Sequence, residues 1–162
     1  RIMFGFNKKS NKNTTIKMPV DGTIIDLEQV NDPVFSQKLM GDGFAIEPTS
    51  NDIYAPISGE VISVFPHAIG IKAEDGLEVL VHVGIDTVNL GGEGFNMHVN
   101  QGDKVNAGDL VITADMAYLK DHAPAITTPV IFTDLAGHNF SINHRDVKAL
   151  DEEAVTLSWV II

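Results

Sequence analysis

From Ile16 onward, apolar residues come in short runs broken by Gly, Pro, Asn and Asp. That rhythm predicts short β-strands joined by tight turns. Helical patterning is confined to two places. Asp32-Pro33 offers a capping residue followed by proline at a first-turn position, with Gly41 placed to stop the segment. Asp115 to Ala123 predicts one or two turns before Pro124, and the run Val155 to Ile162 predicts a buried strand. Lys8 to Thr15 is polar and basic without periodicity, so residues 1–15 read as a flexible N-terminal tail and 16–162 as a single domain.

One decad occurs twice. Met18-Pro-Val-Asp-Gly-Thr-Ile-Ile-Asp-Leu27 and Ala55-Pro-Ile-Ser-Gly-Glu-Val-Ile-Ser-Val64 both read apolar-Pro-apolar-x-Gly-x-apolar-apolar-x-apolar. Each predicts a turn leading into a strand, with proline at an edge or strand start. Two copies are too few for a solenoid. The expected fold is therefore all-β, an antiparallel β-sandwich of short strands with little helix and an internal pseudo-repeat.

Composition narrows the function classes. The 162 residues carry a formal charge of −11 at pH 7. Such a surface repels nucleic-acid phosphates and steers in basic partners. Cysteine is absent, which excludes disulfides, thiolate chemistry and Cys-based zinc sites. No apolar run approaches the ~20 residues of a membrane helix, and a cytoplasmic location is expected.

The stretch His67-Ala-Ile-Gly-Ile-Lys-Ala-Glu-Asp-Gly-Leu-Glu-Val-Leu-Val-His82 reads as a hairpin turning at Asp75-Gly76. With a two-residue turn, Ile69 opposes His82 and His67 opposes Gly84. His67, Ile69, Ile71, Leu80 and His82 then share one face, while Val79, Val81 and Val83 point to the core. A three-residue turn shifts the register by one and sends the two imidazoles to opposite faces. Paired on one face, the two histidines suit phosphoryl chemistry. A neutral imidazole has a free lone pair near neutral pH, and its neighbour can donate to a phosphoryl oxygen. His98, His122, His138 and His144 lie in turn-rich or polar segments and read as surface residues.

These blocks resemble the glucose class of enzyme IIA from the bacterial sugar phosphotransferase system. The likeness runs through Pro19-Val-Asp-Gly22, Asp32-Pro-Val-Phe35, Met40-Gly-Asp-Gly-Phe44 and Ala55-Pro-Ile-Ser-Gly59. It continues through His67-Ala-Ile-Gly-Ile71, Val81-His-Val-Gly-Ile-Asp-Thr-Val88, Gly92-Glu-Gly-Phe95, Gly102-Asp-Lys-Val-Asn-Ala-Gly-Asp109 and Thr128-Pro-Val-Ile131. The resemblance implies that His82 accepts phosphate from HPr and passes it to a cysteine of an enzyme IIB or IICB sugar permease. It implies His67 as partner and phosphoryl stabiliser, the Gly84 carbonyl on the His82 ring, and Asp32 and Asp86 as acids facing positively charged partners. Val34, Phe35, Leu39, Met40, Leu80 and Val88 are implied as an apolar docking rim, with ordinary core an equal reading for Leu39. No cofactor is implied. One departure stands out: members of the class usually carry two more residues before the first histidine, one of them a threonine, whereas Phe65-Pro66 runs straight into His67.

Other readings compete. The shortened loop could leave a regulatory module that docks partners with weakened or absent phosphotransfer. A zinc hydrolase lacks a close His-x-His or His-Glu-x-x-His spacing and an obvious third ligand, although zinc bridging His67 and His82 to a partner's carboxylate stays open. A lipoyl carrier lacks a lysine at an evident hairpin tip.

Overall fold

A computed structural model of the chain describes residues 15–159. The tail expected over 1–15 lies outside that range except for Thr15, which is held by an antiparallel bridge to Thr156 and so belongs to the domain. The last three residues of the strand expected over 155–162 also lie outside it.

The strands are β1 Gly22–Asp26, β2 Asp42–Pro48, β3 Asp52–Tyr54, β4 Gly59–Phe65, β5 Ala68–Lys72, β6 Glu78–His82 and β7 Phe95–Met97. They continue as β8 Lys104–Val105, β9 Leu110–Ala114, β10 Thr128–Asp134, β11 His138–Ile142, β12 Asp146–Val147 and β13 Val155–Trp159. The pairings are antiparallel. Eight strands form one sheet in the order β12-β1-β2-β10-β6-β5-β4-β8, beside a three-stranded sheet β3-β9-β7 and the pair β11-β13. Two helices form where capping residues start them, α1 (Pro33–Ser36) and α2 (Met116–His122). Asp32 accepts from the Val34 N–H at 2.9 Å, and Asp115 from the Tyr118 N–H at 3.1 Å, each satisfying a donor that the first turn leaves free. The expected all-β architecture with little helix is therefore present.

The two ends of the large sheet are built alike, and the repeated decads explain why. β1 pairs with edge strand β12 through Gly22 and Val147, and β4 with edge strand β8 through Gly59 and Val105. A side chain at either glycine would overlap backbone, since a Cβ would lie 2.1 Å from the Glu47 carbonyl oxygen or the Lys72 carbonyl oxygen. Met18 exchanges backbone bonds with Leu150 and Asp151, as Ala55 does with Gly108 and Asp109. The residue before each decad bonds into the other, Lys17 N–H to Pro56 O at 2.9 Å and Tyr54 N–H to Pro19 O at 2.8 Å. Val147-Lys-Ala-Leu-Asp151 is thus the counterpart of Val105-Asn-Ala-Gly-Asp109. That second half of the repeat was hidden because Leu150 occupies, at φ 74°, the left-handed position that Gly108 takes at φ 98°.

Alternation along the central strands creates two apolar layers. Ile24, Phe44, Ile46, Ile69, Ile71, Val79, Val81, Val130 and Phe132 join the main core. Ala45, Ala68, Leu80 and Ile131 point to the opposite face and pack with Leu27, Val30, Phe35 and Ile85 under the segment around α1. Each fully buried aliphatic side chain contributes roughly 1.5–3 kcal/mol by leaving water, so the second layer anchors that segment firmly.

The β5–β6 register differs from the two-residue reading. Ala68 pairs with His82, Ile69 with Val81 and Ile71 with Val79. The loop is Glu74-Asp75-Gly76: Gly76 N–H bonds Ala73 O at 3.0 Å, Gly76 sits at φ 98°, and Ala73 N–H bonds Leu77 O at 2.8 Å. This is a turn followed by a left-handed glycine bulge, the usual three-residue hairpin, and the Asp75 carboxylate steadies it by accepting from Leu77 N–H at 3.0 Å. Ile69 and Ile71 consequently belong to the core face and not to the face of His82.

His138 also departs from expectation. It is buried, stacked on Trp159 with ring centroids 3.9 Å apart, and its Nε2 lies 3.0 Å from the Asp75 carboxylate. His98, His122 and His144 are exposed as expected.

Candidate functional site

The three-residue turn would separate the histidines if both lay within strands. They meet because His67 does not. Phe65 of β4 pairs with Ala68 of β5, leaving Pro66-His67 as a two-residue turn. A turn residue is released from strand alternation, and the His67 ring swings over the end of β6. The centroids of His67 and His82 are 4.8 Å apart with the rings at 77°, edge to face. The Val83 N–H donates to the His67 carbonyl at 2.8 Å and ties the turn to the residue after His82.

His82 is fixed by its own exit turn. Its Nδ1 lies 2.9 Å from the Gly84 carbonyl oxygen. A carbonyl can only accept, so Nδ1 carries the proton and Nε2 keeps the lone pair. Gly84 stands at φ 81°, and a Cβ there would sit 2.4 Å from Thr87 Cγ2. Beneath the ring lies Phe35, at a centroid distance of 5.0 Å.

Burial holds His67 neutral. It is 8% exposed, and desolvation, helped by the adjacent His82, pushes its pKa from 6.5 down to about 4. His82 is also lowered, chiefly by desolvation, against the opposing pull of the Gly84 carbonyl and the Asp32 and Asp86 carboxylates. Both rings are therefore neutral near pH 7, one a lone-pair donor and the other able to give an N–H.

An open cleft of about 380 Å³ leads from the pair along the sheet, lined by Met40, Phe65, Leu80 and Val88 among others. Val34, Leu39, Met40, Phe65 and Val88 are exposed, with Leu39 at 67% and Val88 at 63%. Leu39 is therefore not a core residue. Two expected rim residues are not on the rim. Phe35 is 4% exposed and supports the His82 ring, because the helical turn capped by Asp32 directs it inward. Leu80 is also buried, forming the cleft floor. Phe65 and Phe95, whose rings lie 6.0 and 6.4 Å from His67, were missed in the sequence. Phe65 carried a signal in its position two residues before the histidine. Phe95 stands in the Gly92-Glu-Gly-Phe95 block, which does not announce its approach to His67 because a distant strand delivers it.

The departure before His67 now has a structural form. The chain closes the β4–β5 connection with the tightest hairpin turn, and among the described residues no hydroxyl bonds the His67 ring. The two imidazoles could supply two metal ligands, but no group of three His, Asp or Glu positioned for a metal occurs among the described residues.

The family model for the phosphoenolpyruvate-dependent sugar phosphotransferase system, EIIA 1, matches residues 14–137. The chain belongs to the EIIA 1 family. Among similar proteins, the PTS system glucose-specific EIIA component of Mycoplasma capricolum is 47% identical over 148 residues, covering 90% of this chain and 96% of its own. That of Halalkalibacterium halodurans is 45% identical over 141 residues, covering 82% of each chain. The solved structure of glucose permease IIA from Mycoplasma capricolum superposes with a TM-score of 0.86 over 90% of this chain and 96% of its own, at 44% identity. An EIIA 1 member is a component of a phosphotransferase system, and among the described residues no helix is long and apolar enough to cross a membrane.

Proposed function

We propose that this EIIA 1 chain is a cytoplasmic glucose-class phosphocarrier that takes a phosphoryl group from phospho-HPr onto His82 and passes it to a cysteine of an enzyme IIB domain or IICB permease. The observation that carries the proposal is the bond from His82 Nδ1 to the Gly84 carbonyl, which leaves Nε2 as the free nucleophile beside a second, neutral imidazole. In the forward step the Nε2 lone pair attacks phosphorus. The bond to the donor's nitrogen breaks, and its electron pair stays with the donor imidazole. His67 donates its N–H to a phosphoryl oxygen, placing a hydrogen bond where negative charge gathers. Transfer to the thiolate of the permease domain reverses the roles of leaving and attacking groups. Asp32 and Asp86 offer negative charge beside the ring, and Val34, Leu39, Met40 and Val88 offer apolar contact to a basic partner.

Incubation with phosphoenolpyruvate, enzyme I and HPr is expected to place one acid-labile phosphate on His82 and none on a His82→Ala variant. Wild-type protein that stays unlabelled would sink the carrier reading and favour the docking module.

A further inference from the structure

The tautomer of His82 depends on one carbonyl, and that carbonyl belongs to a glycine with unusual rotational freedom. Two peptide planes flank the Gly84 Cα. The following plane, which contains the Gly84 carbonyl itself, is pinned by the Ile85 N–H donating to Ala125 O at 3.0 Å. The preceding plane contains the Val83 carbonyl, and its acceptor is engaged by the Thr87 hydroxyl at 2.6 Å. Thr87 is 1% exposed, so no water competes for that bond. Its methyl lies over Gly84, where it would be 2.4 Å from a Cβ. Asp86 at φ 55° completes the reversal that brings Thr87 back over the turn.

We infer that Thr87 is a positioning residue for phosphoryl transfer: its hydroxyl locks the Val83–Gly84 peptide, and through it the carbonyl that keeps the proton on His82 Nδ1. Without the hydroxyl, the Val83 carbonyl is a buried acceptor lacking its partner, and rotation of the peptide about glycine is the least obstructed relief. Turning that plane changes φ at Gly84 and so pulls the Gly84 carbonyl off the ring against its one remaining tie, the Ile85 N–H bond to Ala125 O, and protonated Nδ1 ceases to be favoured over protonated Nε2. Thr87 touches no reacting atom, and its effect passes entirely through the turn.

The role rests on His82 as acceptor, so the test separates the two. Thr87→Ser and Thr87→Ala both lose the methyl, but only Ser keeps the hydroxyl. The expected result is transfer from phospho-HPr within about twofold of wild type for Thr87→Ser and at least tenfold slower for Thr87→Ala. Imidazole nitrogen-15 shifts, read without any partner, are expected to show a single Nδ1–H tautomer in wild type and Thr87→Ser and a mixture in Thr87→Ala. Equal behaviour of the two variants in both readouts overturns the inference. If Thr87→Ala does not fold, the wild-type hydroxyl proton decides: slow exchange with solvent is expected, and fast exchange refutes the lock. A wild type that takes no phosphate removes the carrier function, while the nitrogen shifts still report on the turn.

Discussion

Replacing Gly84 with alanine tests the exit turn from the opposite side. A left-handed backbone at a non-glycine residue costs about 1–3 kcal/mol. The added methyl must also displace Thr87 Cγ2 from 2.4 Å and crowd the Ala125 carbonyl oxygen at 3.2 Å, an overpacking cost of about 1–3 kcal/mol. Together these amount to roughly 2–6 kcal/mol if the turn keeps its shape. With a urea dependence of about 1–3 kcal/mol per molar, the unfolding midpoint falls by roughly 0.7 M or more. If the turn instead relaxes, stability recovers in part, but the Gly84 carbonyl leaves His82 and phosphotransfer slows. Gly91→Ala is the control, because Gly91 has φ 61° with nothing within 4 Å of a Cβ. It isolates the backbone cost, expected at about 1 kcal/mol. Urea titration of the three proteins, with transfer rates on the same samples, reads both effects. A Gly84→Ala protein as stable as the Gly91→Ala control, with an unchanged rate, refutes the reasoning.

The remaining expectations concern charge and surface. For His67, the native pKa of about 4 lies below the unfolded 6.5. Between those values the unfolded chain holds a proton that the native one refuses, so stability falls as pH drops from 6.5 toward 4. The loss is on the order of 2–3 kcal/mol, and the difference between wild type and His67→Gln across denaturation curves at pH 4 to 8 is expected to reveal it; parallel profiles would contradict the burial of a neutral ring. Asp32→Asn keeps the helix cap and removes the charge, so stability changes by under about 0.5 kcal/mol while His82 titrates at lower pH, as followed by proton NMR. Leu39→Ser with Val88→Ser leaves stability within about 1 kcal/mol but raises the KM for phospho-HPr roughly tenfold; an unchanged KM removes these residues from the docking surface.

Much of the architecture was legible because turn chemistry is local. Asp32-Pro33 and Asp115 started helices where expected, and the Pro-x-x-Gly decads marked β1 and β4. Register was not legible. Asp-Gly serves both two- and three-residue hairpins, and the choice depends on whether the glycine closes a bulge against Ala73. The imidazole pair was foreseen for a mistaken geometric reason, since its true cause is the turn at Pro66-His67. The resemblance implied Phe35 as rim, yet one helical step from exposed Val34 turns it beneath His82. The burial of His138 depends on Asp75 and Trp159, residues remote in sequence whose approach no local pattern announces.

The bond from the Val83 N–H to the His67 carbonyl has a bearing on how such a site tolerates change. It fastens His67 to the residue after β6 from the downstream side, so residues gained or lost before His67 fall upstream of the anchor. Insertion or deletion there alters how the chain arrives at the imidazole without moving the imidazole itself. Loop length and histidine position become separable traits, and lineages can lengthen or trim the approach as partners change while the ring facing His82 stays in place.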